Sequence, residues 1–342
     1  MLGVLGTGMR AAAVARRLLE TRPPGANIAI FGSDLERVAE LERAGARRAA
    51  SPADLAARSE VVLVVLRELG EIDAQLHGPS GLQAGVHSPT TIVIGSAMTP
   101  EAARELARRL PDSTAGLLRV VDAPLTGRLE AIATGTLSIM VGAAPDTYLD
   151  LRPVLDLLGR SARVGGVGAG QVAATCGQLV VAATSMALGE AAVLAERDGL
   201  DLDQILASWQ EGEIASDLLS GSRPRLVANR HSPSIPAGDA LAWLQIAERE
   251  AVRTGTRTDL TRELLVLYEE LSRSQWADSD LSATQSFVEG RPLTLWQQAA
   301  QNEDPDGLEV VDVPEELELA EPGRRTGARH LAAPAARMFD SA

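Results

Sequence analysis

The stretch VLGTGMRAAAVA, beginning at Val4, constrains this chain more than any other. A short apolar run ends in two glycines separated by one residue, and an alanine-rich amphipathic run follows. The order is strand, tight turn, helix, and the spacing is Gly6-x-Gly8-x-x-Ala11. Gly6 permits the sharp turn, Gly8 leaves the backbone open to close approach, and Ala11 lets the helix lie near the strand. The helix then presents its first N–H groups and the positive end of its dipole to whatever sits over the turn. That arrangement suits a pyrophosphate. Gly6, Thr7, Gly8, Met9 and Arg10 are therefore candidate cofactor-binding residues.

The surrounding pattern supplies the context this turn requires. MLGVLG, NIAIFG, VVLVVL, TIVIG, RVVDAPL and TLSIMVG read as strands, and ARRLLETR and LERVAELERAG among the intervening segments read as helices. Strands alternating with helices predict an α/β fold with a Rossmann-type, doubly wound parallel sheet over residues 1–165. From 166 to 289 only helical periodicity remains, so an all-α domain follows, entered through one long helix. Residues 290–342 are rich in proline, glycine and acids, and read as an extension with little regular structure.

Composition narrows the function classes. A net charge of −14 argues against nucleic acid or an anionic membrane as partner. No unbroken run of about 18 apolar residues suggests a membrane span, and the N-terminus carries no signal pattern. One cysteine, Cys176, excludes an internal disulfide, fits a cytoplasmic location, and reads as a small buried side chain. No cluster with metal-ligand spacing stands out. All 32 basic residues are arginine, so no lysine side chain exists to act as an acid or a Schiff-base nucleophile.

The second strand ends IFGSDLER. Asp34 would accept from a ribose 2′-hydroxyl or cap the next helix, whereas Ser33 and Arg37 would hold a 2′-phosphate. The balance leans to NADP, with NAD possible.

SAMTPEAARELA, DAPLTG, GTLSIMVG, VGAGQ and DSDLSA follow the glycine turn in a fixed order. With them the chain resembles the β-hydroxyacid dehydrogenases, whose relatives include 3-hydroxyisobutyrate dehydrogenases and imine reductases. The resemblance implies a nicotinamide cofactor, a homodimer, and hydride transfer between the domains. It places Leu66, Arg67 and Ser96 beside the cofactor and Thr126, Gly127 and Arg128 in a substrate-binding turn, with Arg128 standing where the family has a second glycine. The family's catalytic lysine falls on Ala174 and its asparagine on Gln178. A later Lys-Asp pair falls on Ala242 and Trp243. The frame matches and the catalytic wiring does not.

Thr126 and Gln178 are then the candidate catalytic groups; Gly127, Arg128, Ala174 and Trp243 are the candidate substrate contacts. Arg128 reads as an anion clamp or a solvated loop residue, and Trp243 as pocket wall or core. Asp239, one turn before Trp243, either replaces the missing aspartate or caps its helix. Three functions fit: reduction of a C=N or atypical C=O bond, a hydroxyacid dehydrogenase using water on Gln178 or His231 as proton relay, and a cofactor-binding protein without turnover. An iminium carbon makes the least demand on a general acid, so the alanine at 174 favours the first.

Overall fold

The computed structural model describes residues 1–66, 69–232 and 236–292. Eight strands form one sheet: β1 (Leu2–Leu5), β2 (Ile28–Phe31), β3 (Arg47–Arg48), β4 (Val61–Val64), β5 (Thr90–Ile94), β6 (Leu118–Asp122), β7 (Leu137–Gly142) and β8 (Gly159–Gly165). Their order is β3-β2-β1-β4-β5-β6-β7-β8. Chain direction is parallel throughout except between β6 and β7, where Asp122 pairs antiparallel with Gly142. The order reverses beside β1, which has β2 on one side and β4 on the other. That switch point is where an open sheet of this kind offers a crevice.

Helices α1 (Met9–Thr21), α2 (Leu35–Arg43), α3 (Pro52–Ala57), α4 (Leu69–Leu76), α5 (Pro100–Ser113), α6 (Leu129–Thr134) and α7 (Pro145–Leu155) connect the strands. The sequence starts several of them by familiar chemistry. Ser51 and Thr99 accept from backbone N–H groups at the heads of α3 and α5, each followed by a proline whose fixed φ suits the first helical position. Two apolar clusters cover the sheet, one built on Leu18, Ile30 and Leu63, the other on Leu55, Val62 and Ile92. The central strands are buried on both faces, which is why β4 reads as an unbroken apolar run.

After the sheet come α8 (Ala169–Arg197), α9 (Leu202–Trp209), α10 (Asp217–Ala228), α11 (Ala237–Thr254), α12 (Asp259–Arg273), a 3₁₀ turn at Leu281–Ala283, and α13 (Thr284–Glu289). Sheet and helices belong to one compact unit. Tyr268 anchors the helical core, donating its hydroxyl to Ala182 O at 3.0 Å, and burial raises its pKa. By length and composition α8 is apolar enough to cross a membrane, with 44% of its most apolar window buried. That corrects the expectation from unbroken apolar runs, because scattered polar residues break the run without making the helix polar.

Candidate active site

At the switch point Gly6 has φ of 127°, and a Cβ there would lie 2.1 Å from Val65 O at the end of β4. Only glycine makes that turn. Gly8 differs: a Cβ added to it would meet none of the described residues within 4 Å. No side chain caps α1 and no acid occupies its first turn. An open cradle over an uncapped helix N-terminus fits a pyrophosphate.

The other residues of the turn divide. Met9 is half-buried. Thr7 is buried, and its Oγ1 accepts from Asp34 N at 3.1 Å, so the hydroxyl ties the ends of β1 and β2 together. Asp34 caps α2, its Oδ1 accepting from Arg37 N at 3.1 Å. Arg37 folds back, with Nη1 3.4 Å from Asp34 Oδ2 and donating to Thr7 O at 3.4 Å. Ser33 stands exposed beside them.

Arg10 leaves the first turn of α1 and donates from Nη1 to Gly127 O at 2.9 Å. Its side chain is half-buried. Desolvation pulls its pKa down from the usual value, while Asp239 in the first turn of α11 holds it up. The glycine turn, the turn after β6 and α11 thus meet at one arginine.

The start of α8 is fixed by polar groups from the carboxyl ends of β5 and β6. Asp122 has no solvent exposure; Oδ1 accepts from Gly168 N at 2.6 Å and Oδ2 from Gln171 N at 2.7 Å. Burial raises its carboxyl pKa, and the helix N–H groups oppose that rise. Gln171, also fully buried, donates to Ser96 O at 2.9 Å and accepts from Met98 N at 3.2 Å. Ser96 Oγ accepts from Leu66 N at 2.8 Å and donates to Val64 O at 3.2 Å. Its hydroxyl thus ties the carboxyl ends of β4 and β5 together. Arg67 lies outside the described residues.

Ala174 has 0% exposure and packs with Trp243 and Ile246 of α11, against Ala97 and Met140. The position where the family's lysine falls is thus occupied by an alanine packed with the Trp243 side chain. Trp243 is 7% exposed and acts as core. Gln178, one turn after Ala174, is half-buried, as is Thr126.

Arg128 is neither an anion clamp nor a solvated residue. Its Nη1 donates to Asp280 Oδ2 at 3.0 Å and its Nη2 to Ser222 Oγ at 3.0 Å. His231 is a core histidine: Nδ1 lies 2.9 Å from Ser282 Oγ, and Nε2 3.0 Å from Asn229 Oδ1. Burial pushes its pKa down to about 4, so the ring is neutral at pH 7, with both nitrogens engaged by core side chains. Cys176 is exposed, contrary to the buried position expected of it.

The family model for the NAD-binding domain of 6-phosphogluconate dehydrogenase matches residues 1–182, more than half of the chain. The model for the NAD-binding region of NADP-dependent 3-hydroxyisobutyrate dehydrogenase matches residues 168–288. The chain belongs to the β-hydroxyacid dehydrogenase family. A 3-hydroxyisobutyrate dehydrogenase of Pseudomonas aeruginosa is 27% identical over 307 residues, covering 85% of this chain and 99% of that one. The structure of the Salmonella typhimurium 3-hydroxyisobutyrate dehydrogenase superposes with a TM-score of 0.73 at 22% identity, covering 84% and 99% of the two chains. An imine reductase from Myxococcus stipitatus in complex with NAD+ gives 0.55 at 16% identity, covering 84% and 99%.

This member of the β-hydroxyacid dehydrogenase family is accordingly a nicotinamide-dependent oxidoreductase with a Rossmann sheet and a helical half. Sequence reasoning missed three of its anchoring residues: Asp122, Gln171 and Asp280. The first opens DAPLTG and the second closes VGAGQ, so the motifs held them without revealing that the two side chains join β5 and β6 to α8.

Proposed function

We propose that this oxidoreductase reduces a C=N bond in a small molecule, preferring NADP(H). When bound, the nicotinamide supplies the hydride. One observation carries the reading: Ala174 is fully buried beneath Trp243, so this position of α8 offers no proton donor. Reduction of a carbonyl creates an alkoxide and needs an acid, worth about 10²–10⁴ in rate. An iminium carbon already carries the charge that the hydride neutralises. Thr126 and Gln178 would then orient the substrate by hydrogen bonding.

A second reading, an atypical C=O substrate or a hydroxyacid, draws support from Arg10. A guanidinium on Gly127 O at 2.9 Å stabilises negative charge developing nearby, although it does not release a proton. Nicotinamide absorbance, followed with NADPH for cyclic imines and aldehydes and with NADP+ for 3-hydroxyacids, separates the readings. Faster turnover of imines is expected; faster turnover of carbonyls or hydroxyacids overturns the first reading, and no turnover in a protein that binds NADPH leaves a non-catalytic binder.

NADP preference rests on Ser33 and Arg37 at the end of β2. Arg37→Ala should weaken NADPH binding more than NADH binding in a fluorescence titration, and equal losses would remove the argument. We also assign a second copy of this chain to the outer face of α8. Cys176, Gly177, Val180, Ala187 and Leu194 are exposed there at helical spacing, with Glu190 a charged residue among them.

A further inference from the structure

The turn after β6 is gripped from two directions. From the glycine turn, Arg10 Nη1 holds Gly127 O at 2.9 Å. From the helical half, Asp280 and Ser222 hold the guanidinium of Arg128, the next residue, at 3.0 Å each. Asp280 has no exposure, and the Arg128 side chain is only 14% exposed. Asp280 is itself immobilised: its N–H donates to His231 O at 3.0 Å, and its Oδ1 accepts from Ser282 N at 3.0 Å. Arg225 adds a second link, with Nη2 2.8 Å from Glu130 Oε1 and Nε 3.9 Å from Asp280 Oδ1. Space is shaped to match, since a Cβ on Gly221 in α10 would lie 2.9 Å from Arg128 Nε.

An arginine in place of a turn glycine has more conformations to lose on ordering, and a buried guanidinium with no partner carries a large desolvation cost. Asp280 removes both difficulties at once. We propose that Asp280 is a positioning residue: through Arg128 it fixes the backbone of Thr126 and Gly127 against which the substrate lies. The proposal rests on the reading that this turn belongs to the substrate site. It assigns a role to a residue 152 positions away in the chain. Arg128 then contributes no net charge to the substrate, and small shifts of this turn reach the reacting groups directly. Misplacement of about 1 Å can cost about 100-fold in rate.

The test uses the full chain with Asp280→Asn, Arg128→Met and the double variant. Asparagine keeps the shape and the Ser282 contact while removing the charge. Hydrogen–deuterium exchange of peptides covering 123–130, NADPH affinity, melting temperature and steady-state kinetics are measured together. Each single variant is expected to melt lower, because one member of the Arg128–Asp280 pair stays buried without the other. The double variant should regain most of the lost melting temperature. In all three, amides of the turn should exchange about tenfold faster or more, with KM for substrate rising more than kcat falls and NADPH affinity unchanged. A double variant with wild-type exchange and wild-type KM would show that the pair is a structural latch only, and would overturn the proposal. If no compound in the panel is turned over by the wild type, the functional reading fails, and unchanged exchange at 123–130 still decides against the positioning role on its own.

Discussion

At the scale of single residues, the pairing of Ala174 with Trp243 is the departure that matters most. Replacing Ala174 by lysine now means forcing a long side chain into a sealed apolar cluster, which should cost about 1–3 kcal/mol in overpacking before any charge is counted. Ala174→Lys alone is therefore expected to lower the melting temperature. Trp243→Asp alone should do so as well, by leaving a void and a buried carboxylate. The two changes together give the lysine room and a counter-charge, so the double variant should be more stable than the sum of the single losses. Additive losses in thermal melts would mean that the two positions are not complementary. His231 gives a second prediction at this scale. Its pKa is about 4 in the folded protein, against about 6.5 when unfolded. The unfolded chain binds the proton first as pH falls, so stability is lost between about pH 6.5 and pH 4 and is fully present above that window. Urea titrations at pH 7 and pH 5 should show the wild type losing about 2 kcal/mol more than a folded His231→Gln variant.

At the scale of elements, the two glycines of the first turn separate folding from binding. Gly6→Ala places a methyl group against the carbonyl of Val65 and demands a left-handed backbone, so the protein should fold poorly or not at all. A Cβ at Gly8 has no described neighbour within 4 Å, so the fold should survive Gly8→Val while NADPH affinity falls, as read by nucleotide titration. A folded Gly8→Val protein with unchanged affinity would refute the cofactor site. The same pair shows what was legible in the sequence. Strand, turn and helix follow from local chemistry over a dozen residues, and β1, β2, β4, β5, β6 and β7 all lie where apolar runs placed them. The two strands not foreseen have other reasons. β3 is two exposed arginines, and β8 carries Arg160 and Arg163 with more than half its residues exposed. Site chemistry was less readable because its partners are distant in sequence. Nothing near Arg128 announces Asp280, nothing near Ala174 announces an indole above it, and Asp122 reveals its work only once Gly168 and Gln171 are brought to it.

At the scale of the whole molecule, α8 joins everything. One side anchors to the sheet through Asp122 and Gln171, another packs on α11 and α13, and the remaining face is exposed. Val180 is 65% and Leu194 is 72% exposed on it. A second copy covering this face predicts a dimer by light scattering at micromolar concentration. Val180→Asp should shift the protein toward monomer without unfolding it, since the side chain already faces outward. A wild-type monomer at that concentration would refute the assignment. Trp243 gives the molecule one further property. Its indole is buried at the seam where α8 and α11 meet Ala97 and Met140, so in a variant whose other three tryptophans are replaced by phenylalanine its fluorescence should be blue-shifted and shielded from quenchers such as acrylamide. Any motion that parts the two halves would wet the ring and shift its emission to the red, and a reduced nicotinamide held over the glycine turn would absorb that emission. The tryptophan that takes up the space near Ala174 is thus a built-in optical gauge of how closed this seam is.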